Sequence, residues 1–486
     1  MEQERKKAMP ERIDTDICVI GAGSGGLSVA AGASQMGART VLIEKGLMGG
    51  DCLNYGCVPS KALLAAGHAA QAQRDSGRFG VAATEPAVDW AKVREHVRGV
   101  VAAIAPNDSV ERFEGLGVTV LQGAARFTGP REVQVGDTVI RARYIVVATG
   151  SSPFIPPVPG LEDTPYFTNE TIFDNDAPIG HLIVIGGGPI GLEMAQAHRR
   201  LGAKVTVIEM ARALGKDDPE AAALVLDRLR GEGIDIRDRT ELKSVEKMET
   251  GIRATIECEG RTETVEGSHL LIAVGRRANT AGLDLEKAGI ETDRGAIKVD
   301  AHLKTANRRV FAIGDVRGGY QFTHMAGYDA GIVIRQALFK MVWAKVDHSA
   351  VPWVTYTDPE LAQVGLTEAD AEATLGKGNY QILRWGFAEN DRAQAERATD
   401  GFVKVITDRK GRALGCTLVG RHAGELILPW VMAVQQKQKM GSVASLIAPY
   451  PTLSEVTKRA AGSHFTPSLF SEKTRKVVRT LMRWIP

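Results

Sequence analysis

One structural unit occurs twice in this chain of 486 residues, and it restricts the fold more than any other feature of the sequence. In the first copy, the apolar segment DICVI runs into a glycine-rich turn and a helical stretch, and a second apolar segment ends at Glu44, 23 residues after Gly21. In the second copy, HLIVI runs into a similar turn, and the next apolar segment ends at Glu209, again 23 residues after Gly186. The equal spacing predicts two βαβ units, each with parallel strands.

The repeated pattern GxGxxG predicts two dinucleotide sites. Its first glycine permits a sharp turn, the second lets the backbone approach a pyrophosphate, and the third lets the helix pack on the sheet. Amides at the helix N-terminus bind the anion, and the acid at the end of the second strand accepts hydrogen bonds from a ribose. The two sets are Gly21, Gly23, Gly26 and Glu44, and Gly186, Gly188, Gly191 and Glu209. An alternative stays open in which one unit has the Rossmann fold but binds no nucleotide.

The acid of the second unit bears on which nicotinamide nucleotide is bound. Because a carboxylate repels a 2′-phosphate, Glu209 favours NAD(H). Arg212 lies nearby in the sequence and weakens that preference, so NADP(H) stays an alternative.

Three more apolar segments are predicted to be buried parallel strands. YIVVATG ends at Thr149 and Gly150, LLIAVGR contains Gly275, and VFAIGD ends at Asp315. Two roles are compatible with Asp315, a contact to a cofactor hydroxyl or the N-cap of a helix, and both stay open.

These elements predict an α/β fold class, with two Rossmann-like dinucleotide-binding domains and a C-terminal α+β domain. A proline-rich stretch over residues 151–160 marks a domain boundary. Residues 351–462 contain no further nucleotide motif and alternate strand-like with helical segments, so they are predicted to form the separate α+β domain.

Composition excludes several classes of protein. The formal charge of +2 gives no support to nucleic-acid binding, and 44% hydrophobic with 24% charged residues is typical of a soluble globular chain. Five cysteines are too few for a disulfide framework and fit a reducing compartment. With no signal-like N-terminal segment and no run of 18 apolar residues, a cytoplasmic protein is expected.

Two cysteines carry the predicted chemistry. In the segment GGDCLNYGCVPSKALL, four residues separate Cys52 from Cys57, and Lys61 follows at the start of a helical stretch. A dithiol near a helix start and a cationic side chain is placed to stabilise a thiolate and to cycle between disulfide and dithiol. The other three, Cys18, Cys258 and Cys416, stand alone in strand-like segments and are expected to be buried core thiols, so no metal site is predicted.

The motifs taken together resemble those of the pyridine nucleotide-disulfide oxidoreductases, flavoproteins that include dihydrolipoyl dehydrogenase, glutathione reductase and mercuric reductase. The resemblance covers about residues 13–462. It rests on GAGSGG, CLNYGC followed by VPSK, ATG, GGGPIGLE, VGRRANT, VFAIGDV and a terminal PTLSE.

The resemblance implies two cofactors and a role for each site residue. FAD is expected at Gly21, Gly23, Gly26, Glu44, Lys61, Thr149, Gly150 and Asp315, and NAD(H), or NADP(H), at Gly186, Gly188, Gly191, Glu209 and Gly275. Cys57 is expected to face the flavin and Cys52 to exchange with the substrate. Lys61 and Glu193 match an ion pair beside the reactive flavin nitrogen.

The resemblance also implies the domain order and a homodimer whose partner subunit completes each active site. The expected segments are a flexible tail over 1–12, the FAD-binding domain over 13–152 and 279–350, the NAD(P)-binding domain over 153–278, the dimerisation domain over 351–465 and a basic amphipathic tail over 466–486.

One residue departs from the pattern of dihydrolipoyl dehydrogenase and glutathione reductase. Their C-terminal motif reads His-Pro-Thr-x-x-Glu, whereas this chain has Tyr450 in place of the histidine and retains Glu455. Imidazole shuttles a proton at neutral pH, but a phenol with a pKa near 10 stays protonated. Loss of that base lowers the rate of thiol chemistry by roughly 10²-fold to 10⁴-fold.

Mercuric reductases resemble this stretch more closely, because they also have tyrosine there. That resemblance is incomplete, since they end in a vicinal cysteine pair and many carry an additional N-terminal metal-binding domain, whereas this chain has no cysteine after Cys416. Tyr450 is equally compatible with positioning an aromatic or quinone-like acceptor.

The C-terminal stretch SLFSEKTRKVVRTLMRWIP predicts a basic amphipathic helix. Apolar residues recur at helical spacing at Phe470, Val477, Val478, Leu481, Met482 and Ile485, between the basic residues Lys473, Arg475, Lys476, Arg479 and Arg483. Peripheral contact with an anionic membrane and docking on protein, within the chain or across a dimer, are both open.

The sequence thus predicts an FAD-dependent NAD(P)H oxidoreductase that reduces a disulfide, metal or quinone-like acceptor through Cys52 and Cys57. A dihydrolipoyl dehydrogenase that works without the histidine is an alternative. An alternative of another class is a flavin-bearing redox sensor, or a membrane-associated binding protein, that does not turn over repeatedly.

Overall fold

A computed structural model describes residues 11–484, and each copy of the repeated unit forms the centre of its own parallel sheet. Of the predicted N-terminal tail, Glu11 and Arg12 belong to the first strand, because that strand pairs with Thr138 and Val139 beyond the repeated unit. Residues 1–10 of the tail lie outside the described residues.

The first sheet has seven strands. Its part of the chain contains β1 (Glu11–Ile20), α1 (Ser24–Gln35), β2 (Thr40–Glu44), α2 (Gly50–Asn54), α3 (Cys57–Asp75), α4 (Trp90–Ile104), α5 (Val110–Gly115), β3 (Val118–Gln122), β4 (Ala125–Gly129), β5 (Glu132–Val135), β6 (Thr138–Val147) and β7 (Ser151–Pro153). Strands β3, β2, β1 and β6 run parallel, and β5 and β4 continue the sheet as an antiparallel meander.

The second sheet contains four parallel strands in the order β10, β9, β8, β14. The elements of this part are β8 (His181–Ile185), α6 (Pro189–Arg200), β9 (Lys204–Ile208), α7 (Pro219–Gly231), β10 (Ile234–Arg237), β11 (Thr240–Lys247), β12 (Ile252–Cys258), β13 (Arg261–Gly267), β14 (His269–Ile272) and β15 (Arg276–Ala278). Strands β11 to β13 form an antiparallel meander, and β15 pairs with β7 to connect the two units.

The chain then returns to the first sheet. The elements are β16 (Thr292–Asp293), β17 (Ala296–Ile297), β18 (Val310–Ala312) and α8 (Thr323–Ala337). Strand β18 runs parallel to the end of β6, with Ala312 beside Val147. Ile20 lies beside both Val147 and Ile43, so β1, β2, β6 and β18 end at the same edge of the sheet.

Strand β1, at the centre of the first sheet, is buried on both faces, as is typical of central parallel strands. Ile17 and Val19 point into a core formed with α1 and α8, whereas Cys18 and Ile20 point into a second core beneath the meander. All four side chains are at most 3% exposed. Apolar residues in direct succession therefore produce a strand here rather than an amphipathic helix.

The last part is an antiparallel sheet in the order β19, β20, β23, β22, β21, covered by helices. Its elements are β19 (Pro352–Thr355), β20 (Glu360–Gly365), α9 (Glu368–Leu375), β21 (Tyr380–Gly386), α10 (Asp391–Ala395), β22 (Phe402–Asp408), β23 (Ala413–Gly420), α11 (Ala423–Leu426), α12 (Leu428–Gln435), α13 (Met440–Ala444), α14 (Glu455–Ser463), α15 (Thr466–Leu469) and α16 (Glu472–Trp484). The predicted fold class, α/β with a C-terminal α+β unit, is confirmed.

Between residues 11 and 484, no helix has both the length and the apolar character needed to cross a bilayer.

Candidate active site

The first glycine-rich turn has the shape that a pyrophosphate needs. Gly21 has a φ of +105°, and a Cβ added there would overlap with the Ala148 carbonyl. A Cβ at Gly26 would overlap with the Gly21 carbonyl, because α1 packs closely against the turn. At Gly23 the nearest atom to an added Cβ is 4.0 Å away, on Gly50. The second glycine therefore faces open space at the N-terminus of α1, where no side chain caps the amides.

The second turn repeats this arrangement. Gly186 has a φ of +113°, and a Cβ at Gly191 would overlap with the Gly186 carbonyl. A Cβ at Gly188 would meet nothing within 4 Å, and α6 begins directly after it without a side-chain cap. Both turns thus fit a nucleotide pyrophosphate, and the three glycines have the same three roles in each.

The two strand-end acids are held in the same way by backbone amides. Glu44 accepts hydrogen bonds from the amides of Ala22 and Gly46, at 2.6 and 2.7 Å. Glu209 accepts from the amides of Gly187 and Ala211, at 2.7 and 2.8 Å. Each carboxylate is therefore fixed beside its glycine-rich turn, in position for a ribose.

The remaining predicted nucleotide residues follow the strand ends. Thr149 donates a hydrogen bond to the Asn279 carbonyl at 2.7 Å, and Asn279 returns one from its amide nitrogen to the Gly150 carbonyl. Gly150 and Gly275 have φ values of +68° and +126°, which favour glycine. Asp315 follows β18 and is partly buried, and this burial raises the pKa of its carboxyl group.

A polar network around Asp315 contains residues to which the sequence analysis gave no role. The Ser151 hydroxyl donates to Asp315 at 2.6 Å, and the Arg276 guanidinium donates to that hydroxyl at 2.7 Å. Arg276 also forms a 2.9 Å ion pair with Asp51, the residue before Cys52. This chain of contacts joins the predicted flavin site to α2, the helix that carries Cys52. Only the position of Arg276 at the end of an apolar segment hinted at it.

The two cysteines lie on successive helices. Cys52 is in α2, and Cys57 is the first residue of α3, where the helix dipole favours an anion. Both are free thiols in this structure, and Cys57 Sγ lies 3.5 Å from the hydroxyl of Thr323, at the start of α8. Thr323 lies 266 residues from Cys57 along the chain, and no sequence pattern relates the two.

The surroundings of the two thiols shift their pKa values in opposite directions. The hydrogen bond from Cys52 lowers the pKa of Cys57 to about 6, aided by Thr323 and the charge of Lys61. The same contact with Cys57, together with burial, raises the pKa of Cys52. In the reduced protein Cys57 is therefore the thiolate and Cys52 the thiol.

Alkylation of the reduced protein measures this difference. Because the Cys57 thiolate persists above its lowered pKa, carboxamidomethylation of Cys57 should follow a titration centred near pH 6, well below that of an ordinary cysteine thiol, and should slow as the pH falls through 6. Peptide mass spectrometry after brief iodoacetamide treatment gives the profile. In the control Cys52→Ala the midpoint should move upward, and an unchanged midpoint would contradict this account.

Lys61 and Glu193 form an ion pair with a third partner. Lys61 Nζ lies 2.7 Å from a carboxylate oxygen of Glu193, and the other oxygen accepts the Tyr356 amide at 3.0 Å. Lys61 Nζ also lies 4.3 Å from the centre of the Tyr356 ring. The cluster joins α3, α6 and the loop after β19. Tyr356 was not predicted, because nothing in its sequence surroundings relates it to Lys61.

The structure places Tyr450 apart from this cluster. Its side chain is 70% exposed, and its hydroxyl donates a 2.9 Å hydrogen bond to Asp391, which raises the pKa of the phenol. Asn390 holds the same segment by donating to the Thr452 carbonyl at 3.0 Å. Glu455 begins α14. Among the described residues of this one chain, neither cysteine is a hydrogen-bond partner of Tyr450.

Of the three remaining cysteines, two are buried as expected. Burial raises the pKa of Cys18 to about 12 and also raises that of Cys416. The expectation was wrong for Cys258, which is only half-buried, because it ends β12 next to the hairpin turn to β13.

Two nucleotide-fitting turns and a dithiol at a helix start are the parts of a nucleotide-dependent disulfide oxidoreductase. The chain belongs to the pyridine nucleotide-disulphide oxidoreductase family. Residues 15–330 match the main family domain and residues 351–461 match the family's dimerisation domain. The predicted family is thereby confirmed, and the dimerisation domain supports a homodimer.

Named relatives fall into the two groups suggested by the motifs. The chain is 36% identical over 455 residues to a mercuric reductase of Streptomyces lividans, covering 92% of this chain and 95% of the relative. It is 35% identical over 464 residues to a dihydrolipoyl dehydrogenase of Geobacillus stearothermophilus, covering 92% and 96%. Among solved structures, the copper(II) complex of the HOCl-induced flavoprotein disulfide reductase RclA from Escherichia coli superposes with a TM-score of 0.82 at 29% identity, covering 91% and 99%.

Proposed function

We propose that this protein is an FAD-dependent reductase that takes two electrons from NADH and delivers them, through the Cys52–Cys57 pair, to a soft metal ion or a disulfide. The observation that carries the proposal is the position of the dithiol. Cys57 begins α3, its Sγ lies 3.5 Å from the Thr323 hydroxyl, and the Lys61–Glu193 ion pair follows one helical turn further along. This position provides a stable thiolate at Cys57 and keeps Cys52 protonated until an acceptor arrives.

The residues of the first unit fit FAD. The open space at Gly23 and the uncapped α1 would receive its pyrophosphate, Glu44 its adenosine ribose and Asp315 its ribityl chain. When bound, FAD supplies the two-electron step that links a nicotinamide to a disulfide. Lys61, held by Glu193, would place a positive charge beside it.

The second unit would hold the nicotinamide nucleotide at Gly186, Gly188, Gly191 and Gly275. Glu209 favours NADH over NADPH there, because its carboxylate is fixed by two backbone amides and cannot withdraw from a 2′-phosphate without losing both bonds.

Reduction of the disulfide leaves Cys57 as thiolate and takes up one proton at Cys52. A soft metal ion displaces that proton to solvent when Cys52 binds it, and it needs no general base fixed in the site. Transfer to a disulfide also requires protonation of the leaving thiolate, which a histidine would assist. Tyr450 stays protonated at neutral pH because Asp391 raises the pKa of its phenol, so it donates a hydrogen bond and does not take up a proton.

The relatives support a metal acceptor. One is named a mercuric reductase, and the structural relative was solved as a copper(II) complex. The likeness to dihydrolipoyl dehydrogenase, at 35% identity, favours that enzyme as the second candidate.

Anaerobic kinetics separate the candidates. Purified protein with bound FAD is mixed with NADH, and then with mercuric ion in excess thiol, cupric ion without added thiol, glutathione disulfide, lipoamide or a quinone. We expect fast, repeated NADH oxidation with mercuric ion, and slower turnover with the two disulfides, glutathione disulfide and lipoamide, whose leaving thiolates a histidine would help to protonate. Fast lipoamide turnover would instead identify a dihydrolipoyl dehydrogenase. A single reduction without turnover on any acceptor would identify a redox sensor.

A further inference from the structure

The C-terminal helix α16 (Glu472–Trp484) differs from the other long helices within residues 11–484 in how little of it is covered. No residue of α16 is buried, and all but one lie in the exposed class. Its five large apolar side chains are between 46% and 81% exposed, namely Val477, Val478, Leu481, Met482 and Trp484. Ile485, predicted to extend this set, lies outside the described residues.

The apolar and basic side chains of α16 are on opposite faces. At 3.6 residues per turn, Val477, Leu481 and Trp484 fall on one side, with Val478 and Met482 beside them. Lys476, Arg479 and Arg483 fall on the other side, with Lys473 and Arg475 at its two borders.

The positive charge of α16 is not neutralised by ion pairs within residues 11–484. The helix carries five basic and one acidic side chain, a net charge of +4, so the remainder of a chain with a total of +2 is net negative. Within residues 11–484, none of the five cations has a carboxylate oxygen within 4.0 Å. Positive charge is therefore concentrated on the one helix that also exposes an apolar face.

The start of α16 is fixed by local hydrogen bonds. Ser471 caps it by accepting from the Thr474 amide at 3.2 Å, and the Thr474 hydroxyl donates to the Ser468 carbonyl at 2.8 Å. Leu469 and Phe470, directly before it, are 58% and 67% exposed and add apolar surface at the same end. These contacts define where the helix begins and continue its apolar surface toward its N-terminus.

We propose that α16 binds the surface of an anionic lipid bilayer, lying in the plane of the interface. An apolar face flanked by cations matches acyl chains beneath negative headgroups, and Trp484 is a residue type that concentrates at that interface. At about 20 Å in length, the helix lies on a bilayer rather than spanning it. This inference is independent of the acceptor proposed above.

Vesicle binding by the full-length protein with bound FAD tests the inference. We expect it to sediment with vesicles of phosphatidylcholine containing one third phosphatidylglycerol, but not with phosphatidylcholine alone, and to be released by salt near 1 M, where the Debye length falls to about 3 Å.

Two neighbouring substitutions provide a matched comparison. Leu481→Glu and Thr480→Glu change the charge equally, but only Leu481 is on the apolar face. Thr480→Glu should weaken vesicle binding about fivefold through charge alone, and Leu481→Glu at least about tenfold further. Flavin absorbance and the thermal unfolding midpoint verify that both variants fold.

Three results would overturn the inference. The first is that the unaltered protein does not bind vesicles, and the second is that both variants weaken vesicle binding equally. The third is that the unaltered protein does not bind vesicles and that Leu481→Glu makes the dimer dissociate or lowers its unfolding temperature. The last result would assign α16 to the partner subunit or to its own chain.

Discussion

The Cys57→Ser protein should retain FAD but lose NADH-dependent turnover with every acceptor by at least about 10³-fold. Serine cannot form the disulfide, and its hydroxyl has no thiolate form to be stabilised at the N-terminus of α3. Steady-state NADH oxidation, measured with the acceptor that the unaltered protein uses best, gives the ratio.

The paired variant Cys52→Ser separates the roles of the two sulfurs. It should lose turnover equally, but it keeps Cys57, whose thiolate beside an oxidised flavin gives a long-wavelength charge-transfer absorbance. That absorbance should be present in Cys52→Ser and absent in Cys57→Ser. If both variants kept substantial NADH oxidation, electrons would reach the acceptor without the dithiol, and the proposed route would be wrong.

Tyr450→His is expected to raise the rate of NAD⁺-dependent dihydrolipoamide oxidation by about 10²-fold, the lower limit for a positioned general base. Because neither cysteine of the same chain is a hydrogen-bond partner of Tyr450 among the described residues, the new imidazole would act at the active site of the partner subunit, which the dimerisation domain is expected to complete. It would replace a phenol that Asp391 holds in its protonated form, and Glu455 is retained three residues beyond Thr452. The rate of NADH formation from dihydrolipoamide between pH 6 and 8 measures the gain, which should follow the neutral imidazole as the pH rises.

Tyr450→Phe is the control for this substitution. It removes the bond to Asp391 without supplying a base, so dihydrolipoamide oxidation should stay as slow as in the unaltered protein. An unaltered protein that already oxidised dihydrolipoamide rapidly would contradict the interpretation of Tyr450, whatever the variants did.

Features encoded over short stretches were predictable from sequence. The two glycine-rich turns depend on residues within one strand–turn–helix, and the structure reproduces the predicted geometry at Gly21 and Gly186. The parallel strands were predictable because both faces are buried and the sequence is continuously apolar.

Contacts between distant segments were not predictable in this way. Thr323 reaches Cys57 across 266 residues, and Arg276 reaches Asp51 across 225. Threonine, arginine and aspartate at these positions have no local pattern, and their contacts exist only once β18 has paired with β6 and β15 with β7. The prediction that Cys258 is buried was wrong for a simpler reason, because a strand end beside a turn resembles a strand interior in sequence.

The contacts of Glu193 constrain how large-scale motion can occur in this molecule. Its carboxylate is bound at once by a side chain from α3 and a backbone amide after β19, while Glu193 itself is only 4% exposed on α6. A hinge rotation between these segments would leave the buried carboxylate of Glu193 without its partners, which is unfavourable. Nucleotide entry and product exit are therefore expected to proceed by local movement of exposed side chains and loops, with the three segments moving as a single rigid frame.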